Sequence, residues 1–102
     1  MPVYSGQIEG PSNKDYIVEI KAPFDFDVVD LTTRLSSGSL TANIKIDGAS
    51  ITGLSAVSVT TSMLTSTASA ANSLAAGDTL TMTISSVSSP GDYYFTLNCV
   101  KT

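Results

Sequence analysis

One segment constrains this chain more than any other: Leu40-Thr41-Ala42-Asn43-Ile44-Lys45-Ile46, followed at once by Asp47-Gly48. Apolar residues hold every even position and polar residues every odd one. That period of two is the signature of a strand with one face buried and one face wet. Asp-Gly then supplies two residues that tolerate positive φ, which a tight hairpin needs and a helix does not. The chain after it, Ala49-Ser50-Ile51, reads as the returning strand, closed by Gly53. An antiparallel all-β fold follows, because hairpins join antiparallel neighbours while parallel strands need long crossovers.

The same grammar recurs along the chain. Asp15 to Lys21 is short and β-branched. Phe24, Phe26 and Val28 alternate with Asp25 and Asp27, after which Val29, Leu31 and Leu35 continue on the odd numbers. Two adjacent valines at a change of phase predict a bulge or a strand that passes between sheets. Val57-Ser58-Val59-Thr60 alternates, and Leu64 to Ala68 reads as a weak strand. Leu80, Met82 and Ile84 point one way and Thr79, Thr81 and Thr83 the other. In the last segment Tyr93, Phe95, Leu97 and Cys99 share one face, and Tyr94, Thr96, Asn98 and Val100 the other. About eight short strands separated by turn signals predict an antiparallel β-sandwich or jelly roll, with a small closed barrel as the alternative.

A chain of 102 residues holds one core. Residues 14–102 are expected to form the β-sandwich domain. Residues 1–13 carry Pro2, Gly6, Gly10 and Pro11 and isolated apolar side chains at Val3, Tyr4 and Ile8. They read as an irregular N-terminal arm, either frayed or ordered on a partner, whose removal leaves the domain folded.

Composition excludes several functions. There is no histidine, which removes the commonest general base and metal ligand and every Ser-His-Asp or Cys-His arrangement. The single cysteine, Cys99, cannot form an internal disulfide, and its inward position beside Phe95 and Leu97 marks a core thiol. Asp25 and Asp27 could hold a hard cation, but the spacing lacks the glycine and closing Glu of a calcium loop. Glu9 and Glu19 could form an acid/base pair for glycoside hydrolysis, yet no tryptophan is present to stack a sugar. No enzyme, cofactor or metal is expected. Lys14, Lys21, Arg34, Lys45 and Lys101 are scattered and the net charge is −4, so no nucleic-acid or anionic membrane footprint exists. The opening Met1-Pro2-Val3-Tyr4 has no secretory character, and no apolar run is long enough for a transmembrane helix, so folding in the cytoplasm is the expectation.

What remains is a binding surface. Serine and threonine make up 29 of 102 residues while charged residues are only 14%. A surface solvated by hydroxyls is easier to desolvate than one solvated by ions. Of Tyr93 and Tyr94, one ring should be core and the other exposed or buried in an interface. Val3, Tyr4, Ile8 and Tyr94 are the candidate protein-contact residues.

From Ser39 to Leu97 the chain resembles a small β-domain of tailed-bacteriophage virion structural proteins. The carrying segments are Leu40 to Gly48, Ile51-Thr52-Gly53-Leu54, Ala75-Ala76-Gly77-Asp78-Thr79-Leu80-Thr81-Met82 and Asp92-Tyr93-Tyr94-Phe95-Thr96-Leu97. The resemblance implies no catalytic residues and a virion location after synthesis in the host cytoplasm. A free-standing module of this size is similar to capsid decoration, or cement, proteins. That implies the major capsid protein or another virion protein as partner, and a homo-oligomer with a trimer favoured. The alternative is a tail-fibre or adhesin module that binds host-surface glycan or another tail protein.

Overall fold

The computed structural model describes residues 3–102, and Met1 and Pro2 lie outside the described residues. Ten strands alternate with turns: β1 (Val3–Glu9), β2 (Lys14–Glu19), β3 (Phe26–Leu35), β4 (Ser39–Ile46), β5 (Ala49–Ser50), β6 (Val57–Val59), β7 (Leu64–Thr67), β8 (Ser73–Leu74), β9 (Leu80–Ser88) and β10 (Asp92–Lys101). They form two antiparallel sheets packed as a sandwich. The first runs β1-β10-β3-β7, with β8 on the same side of β3 as β7; the second runs β2-β9-β4-β5, with β6 beside β5 along β4. The expected β-sandwich, all-β and antiparallel, is the fold.

The predicted alternations become the core. Leu40, Ala42, Ile44 and Ile46 of β4 face Leu31, Leu35, Tyr93, Leu97 and Cys99 of the first sheet, with Leu80, Met82 and Ile84 of β9 alongside β4. Asp47 (φ 49°) and Gly48 (φ 85°) make the predicted hairpin turn. The change of phase at Val28 and Val29 is a bulge, not a change of sheet. Asn98 pairs with Asp30 and Cys99 with Val28, so Val29 is the extra residue and Val28 and Leu31 both stay in the core.

Two features depart from the sequence reading. Val3–Glu9 is a regular strand, not an irregular arm, paired without interruption to β10 from Val3 opposite Asn98 to Glu9 opposite Asp92. Its partner lies some ninety residues away, beyond the reach of local pattern, and its inward residues are Tyr4, Gly6 and Ile8, whose central glycine breaks the apolar signal. The second is β8, two residues whose pairing of Leu74 with Phe26 buries Leu74.

At one end of the sandwich two turns clamp each other. Gly91 N donates to the Ser37 carbonyl (2.9 Å) and Asp92 N to Ser36 Oγ (2.8 Å). Gly38, at φ 79°, sits where a Cβ would run into the carbonyl oxygens of Ser88 and Ser89. Only glycine meets both conditions.

Candidate functional site

The outer face of the first sheet presents side chains in registered rows. Ser5, Thr96, Thr32 and Thr65 lie opposite one another across four strands, and the Thr32 and Thr65 hydroxyls are 2.9 Å apart. The next row holds Gln7, Tyr94 and Arg34. The row on the other side holds Val3, Asn98, Asp30 and Thr67, with Asn98 Nδ2 donating to Asp30. Rows of this kind follow from a strand period of two and strands about 4.8 Å apart. A shallow open depression of about 480 Å³ lies across them, bounded by Gly6, Thr32, Arg34, Met63, Tyr94 and Thr96. Tyr94 is 38% and Met63 69% exposed on its floor and rim, and Arg34 is exposed directly opposite Tyr94. This depression is the candidate site. Tyr93, next in the chain, is fully buried, as alternation requires.

The other expected contact residues lie on β1. Val3 is exposed on the outer face, at the far end of the same sheet from Tyr94. Tyr4 and Ile8 are half-buried and pack against the core, and Tyr4 lies 5.9 Å from Phe26 between ring centres. Tyr4 Oη donates to Glu19 Oε1 (3.0 Å), which ties edge strand β1 to edge strand β2 across the sandwich. Burial, reinforced by that neighbouring carboxylate, pushes the Tyr4 hydroxyl up to about 12. Between the two edges lies a smaller slot of about 190 Å³, lined by Ile8, Tyr16, Val18, Met82 and Phe95.

Three exposed apolar residues lie at the Val3 end of the sandwich, Val3 and Val100 on the first sheet and Ile20 just past β2 of the second. Val3 pairs with Asn98, two residues before Val100, and Tyr4 contacts Glu19, the residue before Ile20. Val3 is 52%, Val100 42% and Ile20 75% exposed. No local signal in the sequence associates these three, because only the pairing of β1 with β10 and the Tyr4–Glu19 bond bring them to one end.

The remaining chemical candidates are placed as structural groups. Asp27 accepts from Ser73 Oγ (2.7 Å) and Asp25 from Ala76 N (2.8 Å), so both hold the segment 73–78 against β3. Among the described residues no three carboxylates, histidines or cysteines gather as a metal cluster. Glu19 is engaged by Tyr4, and Glu9 lies five residues along β1 from that tyrosine, about 16 Å at the rise of a strand. Cys99 is fully buried, and burial, with Asp30 nearby, pushes its thiol up to about 11. A thiol held protonated is a poor nucleophile. None of the ten strands is a helix, so no described helix is long and apolar enough to cross a membrane.

Fold and site together define an antiparallel β-sandwich with an open, hydroxyl-lined face. Among solved structures the chain is similar to a CBM36 carbohydrate-binding module in complex with calcium and xylotriose (TM-score 0.54, 17% identity, 94% of this chain and 87% of that one). It is similar to the same degree to a chain of the capsid asymmetric unit of cyanophage Pam1 (TM-score 0.54, 13% identity, 99% of this chain and 84% of that one). The N-terminal cellulose-binding domain of a Cellulomonas fimi β-1,4-glucanase matches at TM-score 0.50 and 14% identity, over 97% of this chain and 79% of that one. At these identities the likeness is one of fold. No family model matches the sequence, and neither does any curated protein.

Proposed function

We propose that this chain is a decoration protein of a tailed-phage head, a non-catalytic module that binds across capsid subunits as a homo-oligomer, a trimer by preference, and stabilises the shell. The observation that carries the reading is the exposure of three apolar side chains at one end of the sandwich, Val3 and Val100 on the first sheet and Ile20 just past β2 of the second, in a chain rich in hydroxyls and sparse in charge. Exposed apolar groups gathered on a small domain mark a protein-contact region. The match to a cyanophage capsid chain of comparable length supports it. β1 supplies the contact: Val3 faces outward while Tyr4 and Ile8 hold the strand from beneath. The mechanism is mass action. A module that binds the assembled lattice but not free subunits lowers the free energy of the lattice alone.

The test is cosedimentation with emptied, expanded heads. The wild-type protein is expected to sediment with them at lattice stoichiometry, and a Val3→Asp/Ile20→Asp/Val100→Asp variant to stay in the supernatant. Wild-type protein that ignores heads, or a triple variant that binds as well as wild type, overturns the reading.

A second reading, a carbohydrate-binding module, is favoured by the depression around Tyr94 and Arg34. It is supported by the two sugar-binding neighbours of the same fold. It predicts retention of the protein by a polysaccharide column or a glycan array, with no need of a virion.

A further inference from the structure

We infer that the outer face of the first sheet is a binding site for a neutral saccharide chain, with Tyr94 as the stacking platform and Arg34 as the principal hydrogen-bond donor; this rests on the second reading above and gives it a site and a ligand class.

The chemistry of a pyranose ring is mixed. One face presents C–H bonds and the rim presents hydroxyls, each both donor and acceptor. A partner surface therefore needs one exposed apolar ring and several groups that donate or accept around it. The depression offers that combination. Tyr94 is its exposed aromatic residue. Arg34 lies directly across from it on β3, with five donor hydrogens in a planar fork that spans two adjacent hydroxyls. The hydroxyls of Ser5, Thr96 and Thr32 form the next row, one residue pair along the strands. Gly6 borders the depression on the β1 side through its backbone, its side-chain position pointing inward at Phe95, and Met63 provides a soft apolar rim on the other side. An open trough across three strands suits an extended chain better than a small enclosed ligand.

Charge selects the class. The only cation among the rows is Arg34, against Asp30 and Glu9 on the same outer face, and the whole molecule carries −4. A polyanionic glycan would meet a repulsive field. An apolar ligand would strand the hydroxyl rows and the guanidinium without water. A neutral polyhydroxylated chain fits both limits.

The experiment is a glycan array carrying neutral and acidic polysaccharides, followed by titration of the retained glycans by NMR against the full chain. Neutral glycans are expected to bind. The amide shifts should be confined to residues 5–7, 32–34 and 94–96. Tyr94→Ala and Arg34→Ala should each weaken binding by about tenfold or more, while Lys45→Ala on the opposite sheet leaves it unchanged. Binding should also persist when salt is raised from about 0.05 to about 0.5 M, because no ion pair carries it. Near-native far-UV circular dichroism of each variant separates lost binding from lost fold. Should Tyr94→Ala unfold, Tyr94→Thr, which keeps a strand-favouring residue, replaces it. Neutral-glycan binding that survives both ring and Arg34 replacement overturns this site but leaves carbohydrate binding standing. Binding of acidic glycans only overturns the ligand class. No retention of any glycan overturns the second reading itself.

Discussion

Cys99 shows how one buried side chain sets the response of the fold to pH. It closes the inward row of β10 beside Leu97, with no exposed surface. Burial disfavours the thiolate, and Asp30 adds to that, raising the thiol from 9.0 to about 11. The folded state therefore prefers the protonated thiol more than the unfolded state does. Below about pH 9 both states are protonated and the full contribution is present. As pH rises from about 9 to about 11 only the unfolded chain ionises, and stability on the order of 2–3 kcal/mol is lost. Tyr4, pushed up to about 12, and the fully buried Tyr93, raised by burial, add to the decline with the same sign from about pH 10 upward, where tyrosines of the unfolded chain begin to ionise. The urea midpoint of the wild-type protein should fall between pH 9 and 11. In Cys99→Val the fall should start later and be shallower, because valine fills a similar volume and cannot ionise. Equal slopes in the two proteins would mean that this thiol does not govern the alkaline limit.

At the scale of elements, legibility followed the distance between a strand and what holds it. β4 and the first part of β9, Leu80 to Ile84, were readable residue by residue, because both are central strands and their inward positions there are filled by buried apolar side chains, whereas the continuation of β9 through Ser86 to Ser88 carries no such pattern. The Val29 bulge was readable as a change of phase, which a local window contains. β1 was not, because an edge strand half-buries its inward residues and this one has Gly6 at its centre. β1 is nonetheless a structural strand. It covers the flank of β10 along its whole length and is tied to the second sheet by the Tyr4–Glu19 bond. Removing residues 1–9 would uncover that flank of β10 and half-buried Phe95. The truncated chain should lose several degrees of thermal stability or fail to fold, as followed by circular dichroism, in contrast to the expectation for a loose arm. Tyr4→Phe, which keeps the ring and deletes the hydroxyl, should cost only about 0.5–1.5 kcal/mol. The candidate site was legible in part for the same reason. Alternation alone put Tyr94 outside, but only the pairing of β10 with β1 and β3 puts Ser5 and Arg34 beside it.

The whole molecule separates two surfaces along one sheet. Tyr94 and Arg34 lie toward one end of its outer face; Val3 and Val100 lie toward the other, four or more residues along β10, which is about 13 Å or more. The two proposed activities therefore need not compete, and a head-bound copy would keep the Tyr94 depression free for a sugar. The two surfaces also differ in driving force. The three apolar side chains carry no charge themselves, while Asp30 lies across β10 from Val3 and Asp27 opposite Val100, so the association that the apolar groups drive draws on burial of apolar area. Surface charges act over a Debye length of about 10 Å at 0.1 M salt and are screened beyond it. Kosmotropic salts, by contrast, strengthen apolar burial. Occupancy of heads should thus stay level as sodium chloride is raised and increase in ammonium sulfate, as read by cosedimentation of the wild-type protein. Ile20→Lys, which places a solvated charge among the three apolar residues, should lower occupancy at every salt concentration. A steep loss of wild-type binding with sodium chloride would instead place the contact on the scattered charged residues and away from the Val3 end.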